Sequence, residues 1–280
     1  MIDAMVLAWF IFGVFGTVLR CVKFRQPISF RFQIFILLYC GIPFLIPFTF
    51  KAIGIVAIFI PFLIHRYFYN SPYLNLFSLF GLWLPFEMGL LSVSFKSSLP
   101  VDYAIILLTF FSTFISFSHS RSLTLFLASF RMSLSDLKVA IKIYVLLLLI
   151  IIPLGHFTGF LSFQFFEPSI MFFVQTIVVG YFLYALPEEL LFRFLMFDFF
   201  RPFFASDRAQ WFITSVIFGL AHINNRTADM VGYNWSYVLL STIAGLGYGF
   251  VYMRTKKVSA SALTHALINM IWGMFFNSPY

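Results

Sequence analysis

Apolar runs of membrane-spanning length alternate with short polar stretches along the whole chain. The runs fall at residues 4–19, 33–48, 52–64, 75–95, 103–118, 140–156, 168–193, 209–223, 235–253 and 258–276. Backbone amides inside lipid must find partners within their own segment, so such runs are predicted to be helices. A membrane β-barrel would alternate in polarity over segments of about ten residues, and no such pattern occurs. The pattern predicts an all-α, polytopic transmembrane helical bundle with about 8–10 spans.

Composition supports an integral, multi-pass membrane protein. Of the 280 residues, 61% are hydrophobic and 10% are charged, whereas a soluble domain carries about 25% charged residues. The net charge of +8 could suggest nucleic-acid binding, but the basic residues stand singly or in small groups between apolar runs. We therefore expect a lipid bilayer as partner and no nucleic acid. Two cysteines, Cys21 and Cys40, are too few for a disulfide framework.

The distribution of basic residues predicts the orientation of the spans. With the N-terminus outside, all but three of the 18 Lys and Arg residues lie on the inner side, as expected for cytoplasmic loops. The exceptions are Lys51, Lys96 and Arg226. No internal repeat or linker divides the chain, but residues 1–130 carry no recognisable motif.

Two local patterns predict helix details. Ser133 or Ser135 can cap a helix, and Asp136 suits its first turn. Ser241, Gly245 and Gly249 stand at four-residue steps, a spacing that lets two helices approach closely.

Two adjacent carboxylates stand in an apolar run, in the sequence PEELLFR beginning at Pro187. Ionisable groups are costly inside lipid and are therefore candidates for function. Glu189 and Arg193 are four residues apart and can pair on one helix face. Glu188 is rotated about 100° away, so it can face a cavity and act as a general acid or base.

Two further motifs place polar residues in later spans. Phe218 and His222 share a face in FGLAH, and His265 and Asn269 share one in HALIN. The first offers an imidazole that can accept a proton, and the second offers two donors for an oxyanion. Each motif alone also fits a packing role. With a cytoplasmic turn near Ser206, Glu189 and His222 are expected at similar depth.

The three motifs EELLFR, FGLAH and HALIN resemble the CPBP family of intramembrane proteases (CAAX proteases and bacteriocin-processing enzymes, also called Abi), which carries EExxxR, FxxxH and HxxxN in this order. The resemblance covers about residues 180–275 and implies a catalytic membrane core over residues 131–280. It implies an intramembrane endopeptidase of the glutamic type, without cofactor or metal, in a bacterial inner (cytoplasmic) membrane. The substrate would be a membrane-associated protein or peptide.

The resemblance also implies a role for each motif residue. Glu188 and His222 would activate a water molecule, and Glu189 and Arg193 would orient the site. His265 and Asn269 would stabilise the oxyanion.

Other functions stay open from the sequence. Two histidines and a glutamate could hold Zn²⁺ in a metal-dependent version of the protease. Intramembrane Glu and His also serve transporters, and a non-catalytic relative could protect against a toxic peptide. Neither the zinc-protease motif HExxH nor a Gly-x-Ser-x-Gly elbow occurs. CAAX, leader and C-terminal sorting-tail processing are all compatible with these residues.

Overall fold

The computed structural model describes residues 71–73, 76, 127–164, 169–224 and 232–277. The chain divides into two units, Met1–Leu127 and Ala128–Tyr280, and nearly all of the described residues belong to the second unit. Apart from residue 76, the first five predicted spans lie outside the described residues, as do Glu87 and both cysteines. The roles predicted for residues 1–130 and 131–280 therefore stay predictions.

The first long helix begins at a capping box. Helix α1 spans Leu134–Phe157. The Ser133 hydroxyl accepts a hydrogen bond from the Asp136 amide at 3.2 Å, and the Asp136 carboxylate accepts one from the Ser133 amide at 2.9 Å. This reciprocal pair satisfies two amides that no helical carbonyl reaches, so the predicted Ser133 cap is confirmed. The cap also explains why the helix starts before the predicted apolar span at residue 140.

The next helical run is continuous, but two π-helical turns interrupt its α-helical winding. It consists of α2 (Ile170–Val179), the π-helical turn Gly180–Ala185, α3 (Leu186–Glu189), the π-helical turn Leu190–Leu195 and α4 (Met196–Phe200). Pro187 accounts for the first wide turn, because proline has no amide hydrogen and its ring clashes with the carbonyl four residues earlier. The amide of Leu186 reaches back five residues to the Tyr181 carbonyl. Wide turns of this kind often occur at functional sites.

Three more helices complete the described part. Helix α5 spans Asp207–Leu220, α6 spans Trp235–Thr255 and α7 spans Val258–Phe275. Ser206 caps α5, at the position where the sequence predicted a turn. The two-residue strands β1 (Ser162–Phe163) and β2 (Phe276–Asn277) pair antiparallel.

Helices α5 and α6 pack closely through the predicted stripe of small residues. Ser241, Gly245 and Gly249 are all buried. A Cβ atom at Gly245 would meet Phe218 and Ser215, and one at Gly249 would meet Trp211. All three neighbours belong to α5, so the stripe lets the two backbones approach, as predicted.

Helices α1, α6 and α7 are long and apolar enough to cross a membrane. The all-α, membrane-spanning fold class is therefore confirmed. Among the described residues, the Lys and Arg side chains other than Arg193 lie at or near the end where α1 and α7 begin and α6 ends. Arg193, which the orientation argument placed with the loop charges, is instead fully buried. An excess of basic residues at one end is typical of the cytoplasmic side.

Candidate active site

The two adjacent glutamates have different surroundings. Glu189 is fully buried, whereas the Glu188 side chain is 36% exposed. Successive helical residues point in directions about 100° apart, so the same turn buries one side chain fully and leaves the other partly exposed, with its Oε2 atom buried. Glu188 is therefore the less enclosed of the two carboxylates, and its predicted role as a general acid or base stays a prediction.

Arg193 compensates the charge of Glu189. Its Nε atom lies 3.3 Å from Glu189 Oε2, and neither side chain is exposed. The Nη2 atom donates to the Gly245 carbonyl at 3.1 Å, and the guanidinium carbon lies 4.6 Å from the centre of the Phe218 ring. A buried carboxylate needs such a partner, because an unpaired charge in an apolar interior is costly. The predicted pairing of Glu189 with Arg193 is confirmed.

His222 lies in the turn that follows α5. Its Nδ1 atom is 2.8 Å from the Phe218 carbonyl oxygen. Because a carbonyl oxygen only accepts, Nδ1 must carry the hydrogen, and Nε2 of the neutral ring is left as an acceptor. The Tyr237 ring packs edge-on against the imidazole, with 4.7 Å between centroids. Nε2 is therefore the ring atom that can act as an acceptor, and the predicted role of His222 as a proton acceptor stays a prediction.

His265 links the two glutamates. Its Nδ1 atom is 3.1 Å from Glu189 Oε1, and its Nε2 atom is 3.9 Å from Glu188 Oε2. The Tyr248 ring stacks on the imidazole at 4.5 Å with an interplanar angle of 13°. His265 and Asn269 were expected to aim two donors at one point. On His265 the Nδ1 atom is occupied by Glu189, so only Nε2 could serve as such a donor. Asn269 lies one turn further along α7 and is half-buried.

The Phe218 ring lies at the centre of the site. Ring or guanidinium centres of three motif residues lie close to it: Arg193 at 4.6 Å, His222 at 4.9 Å and His265 at 5.6 Å. Side chains from the three sequence motifs therefore meet around one aromatic ring. The ring also excludes water from the ion pair, which strengthens electrostatic interactions there.

Two residues at this site were missed by the sequence interpretation. The Ser261 hydroxyl donates to Glu189 Oε2 at 2.5 Å and lies 2.9 Å from the Tyr248 carbonyl oxygen. Ser261 stands four residues before His265, so the helical spacing could have identified it. Tyr248, the ring stacked on His265, carries no comparable signal in the sequence.

The donor atoms do not form an obvious metal site. Within the described ranges, no group of three or more His, Cys, Asp or Glu side chains is arranged to hold an ion. Glu189 and His265 are partners of each other, and the positive charge of Arg193 lies beside them.

The fold and the site together define a helical membrane protein with a cluster of ionisable side chains enclosed between its helices. Residues 168–271 match the family model described as type II CAAX prenyl endopeptidase, Rce1-like. The match confirms the resemblance to CPBP proteases over this segment, which contains all six predicted site residues. It supports an intramembrane endopeptidase acting on a membrane-associated protein. Comparisons with curated proteins and with solved structures found no match.

Proposed function

We propose that this protein hydrolyses a peptide bond in a membrane-associated protein or peptide, using a water molecule activated by Glu188 and His222. The observation that carries the proposal is the contrast between the two glutamates. Glu189 is buried and paired, while the Glu188 side chain is 36% exposed, and its Oε2 atom, itself buried, has no hydrogen-bond partner among the described residues. A general base needs an oxygen that is free to accept a proton, and Glu188 offers one in Oε2 on a side chain less enclosed than that of Glu189.

The proposed reaction begins with proton transfer from water. Glu188 takes a proton while the water oxygen attacks the carbonyl carbon of the substrate, so that a C–O bond forms and the carbonyl oxygen becomes an oxyanion. His222 accepts the second hydrogen bond of the water at Nε2, because its Nδ1–H is held by the Phe218 carbonyl. The C–N bond then breaks, and the proton on Glu188 passes to the leaving nitrogen.

The oxyanion is proposed to lie against His265 and Asn269. With Nδ1 donating to Glu189, His265 can donate only from Nε2, and only when both ring nitrogens carry a proton. The Asn269 amide supplies a second donor from the same helix face.

A metal-free reaction is the form we propose. The carboxylate of Glu189 and the Nδ1 atom of His265 are already used by each other, and Arg193 adds a positive charge beside them. A cation would have to displace these contacts and lie near a guanidinium. We therefore expect the purified protein to keep its activity in the presence of 1,10-phenanthroline.

The first substrate to test is an isoprenylated CAAX peptide, because the matched family is described by that substrate class. The peptide would carry a fluorophore and a quencher on either side of the CAAX cysteine, and the protein would be purified into liposomes. We expect cleavage by the wild type and a loss of at least about a hundredfold in kcat for Glu188→Gln. Asp207→Asn is the matched control, since Asp207 is an exposed acid at the start of α5. Full turnover by Glu188→Gln would contradict the mechanism.

A further inference from the structure

The buried hydroxyl of Ser261 is in direct contact with the paired carboxylate. Ser261 lies in the first turns of α7, is fully buried and donates to Glu189 Oε2 at 2.5 Å. A hydrogen bond from a hydroxyl to a charged carboxylate is about twice as strong as one between neutral groups. The contact therefore constrains Glu189 more strongly than an ordinary packing interaction.

Arg193 does not provide the same directional constraint. Its Nε atom is 3.3 Å from Glu189 Oε2, but that Nε makes no hydrogen bond of acceptable geometry with the described residues. Charge attraction depends weakly on angle, whereas a hydrogen bond weakens steeply when it is bent. Arg193 supplies the compensating charge, and Ser261 fixes the direction in which Oε2 points.

The orientation of Glu189 in turn determines the orientation of His265. When Oε2 is fixed by Ser261, the other oxygen, Oε1, is directed at Nδ1 of His265, 3.1 Å away. Stacking on Tyr248 restricts tilting of the imidazole but not rotation within its own plane. The Glu189 hydrogen bond restricts that rotation, so Nε2 stays directed at Glu188.

Ser261 can also follow a change in the protonation of Glu189. Its single proton can go to Glu189 Oε2 or to the Tyr248 carbonyl oxygen at 2.9 Å. When Glu189 is ionised, the charged acceptor is preferred. When Glu189 carries a proton, it can donate to the Ser261 oxygen while Ser261 donates to Tyr248. Both arrangements keep a hydrogen bond between Ser261 and Glu189.

We propose that Ser261 is a positioning residue that acts through Glu189 to fix the orientation and tautomer of His265. The expected effect on kcat rests on the proposed function, whereas the expected effect on the His265 tautomer does not. The positioning role of Ser261 also predicts that a serine on the same helix without contact to the glutamates can be replaced without changing the His265 tautomer. Ser259, two residues earlier, is buried as well, but its hydroxyl donates to the Ser129 carbonyl, away from the glutamates.

The test compares Ser261→Ala with Ser259→Ala, the same chemical change on the same helix. Histidine labelled with ¹⁵N in the purified protein reports the tautomer of each ring without any substrate, and the His265→Gln spectrum assigns the signal. Without substrate, and at a pH at which the His265 ring is neutral, we expect it to be the Nδ1–H tautomer in the wild type and in Ser259→Ala. In Ser261→Ala we expect a mixture of both tautomers. Ser261→Cys, which keeps the size of the side chain with a weaker donor, should lie between them.

Kinetics on the CAAX peptide provide the second measurement. We expect kcat of Ser261→Ala to fall about ten- to hundredfold with KM nearly unchanged, because the lost hydrogen bond is to a charged group and does not contact substrate. Two results would overturn the positioning role of Ser261 and leave the proposed function standing. One is a pure Nδ1–H signal in Ser261→Ala, and the other is wild-type kcat in that variant while Glu188→Gln is inactive. Should Ser261→Ala fail to fold, Ser261→Cys decides by the same criteria. If Glu188→Gln is fully active, the proposed function fails. The tautomer measurement needs no substrate and then still tests the positioning role of Ser261.

Discussion

The position of Arg193 depends on the absence of a side chain at Gly245. A Cβ atom at that position would lie 3.0 Å from Phe218 Cδ1, 3.2 Å from Arg193 Nη2 and 3.3 Å from the Ser215 carbonyl oxygen. The Gly245 carbonyl also accepts the 3.1 Å hydrogen bond from Arg193. Gly245→Ala therefore forces the ring, the guanidinium or a backbone carbonyl to move by a few tenths of an ångström.

The expected cost can be estimated from two opposing effects. Overpacking in a well-packed interior costs about 1–3 kcal/mol, while replacing a helical glycine by alanine gains about 1 kcal/mol. We expect a net loss of about 1 kcal/mol, or about 2–4 °C in Tm for a chain of this size. We also expect kcat to fall about tenfold, since displacing Arg193 shifts Glu189.

Gly273→Ala is the matched control for this substitution. Gly273 lies near the end of α7, is exposed, and a Cβ atom there would meet nothing within 4 Å. The same change should therefore raise Tm slightly and leave kcat unchanged. Thermal unfolding in detergent followed by circular dichroism, together with cleavage of the CAAX peptide, measures both quantities. A Gly245→Ala protein as stable and as active as the wild type would refute the reasoning.

Two further predictions concern stability in the same unfolding assay. Arg193→Ala should lower the free energy of unfolding by about 3–5 kcal/mol, because it leaves the buried Glu189 without its counter-charge. Arg254→Ala, at an exposed position, should change it by no more than about 0.5 kcal/mol. Equal effects of the two substitutions would argue against a buried ion pair. Ser133→Ala should cost about 1 kcal/mol by removing the cap of α1, with kcat per folded molecule unchanged. An unchanged Tm in Ser133→Ala would contradict the capping box seen with Asp136.

Local spacing in the sequence predicted the features that depend on one helix. The apolar runs predicted the helices of the described part, and the caps at Ser133 and Ser206 explain where two of them begin. The four-residue separation predicted the Glu189–Arg193 pair. Each of these follows from the helical repeat alone.

Features that depend on which helices are neighbours could not be predicted in the same way. The contacts of Glu189 with Ser261 and His265 join residues more than 70 positions apart, and no spacing rule identifies such partners. The wide turn before Pro187 has a visible cause in that proline. The wide turn at Leu190–Leu195 contains neither proline nor glycine, so no residue type in the sequence marks it.

The most direct test of the central claim compares the peptide termini in membranes of cells carrying the wild type or Glu188→Gln at equal protein levels. Because Gln keeps the size and shape of Glu, the variant should fold and lose only the general base. We predict that a set of new termini in membrane-associated proteins is present with the wild type and absent with the variant, which would also identify the substrate. Identical termini in both, under conditions in which the protein is needed for growth, would contradict a protease and favour transport or peptide immunity.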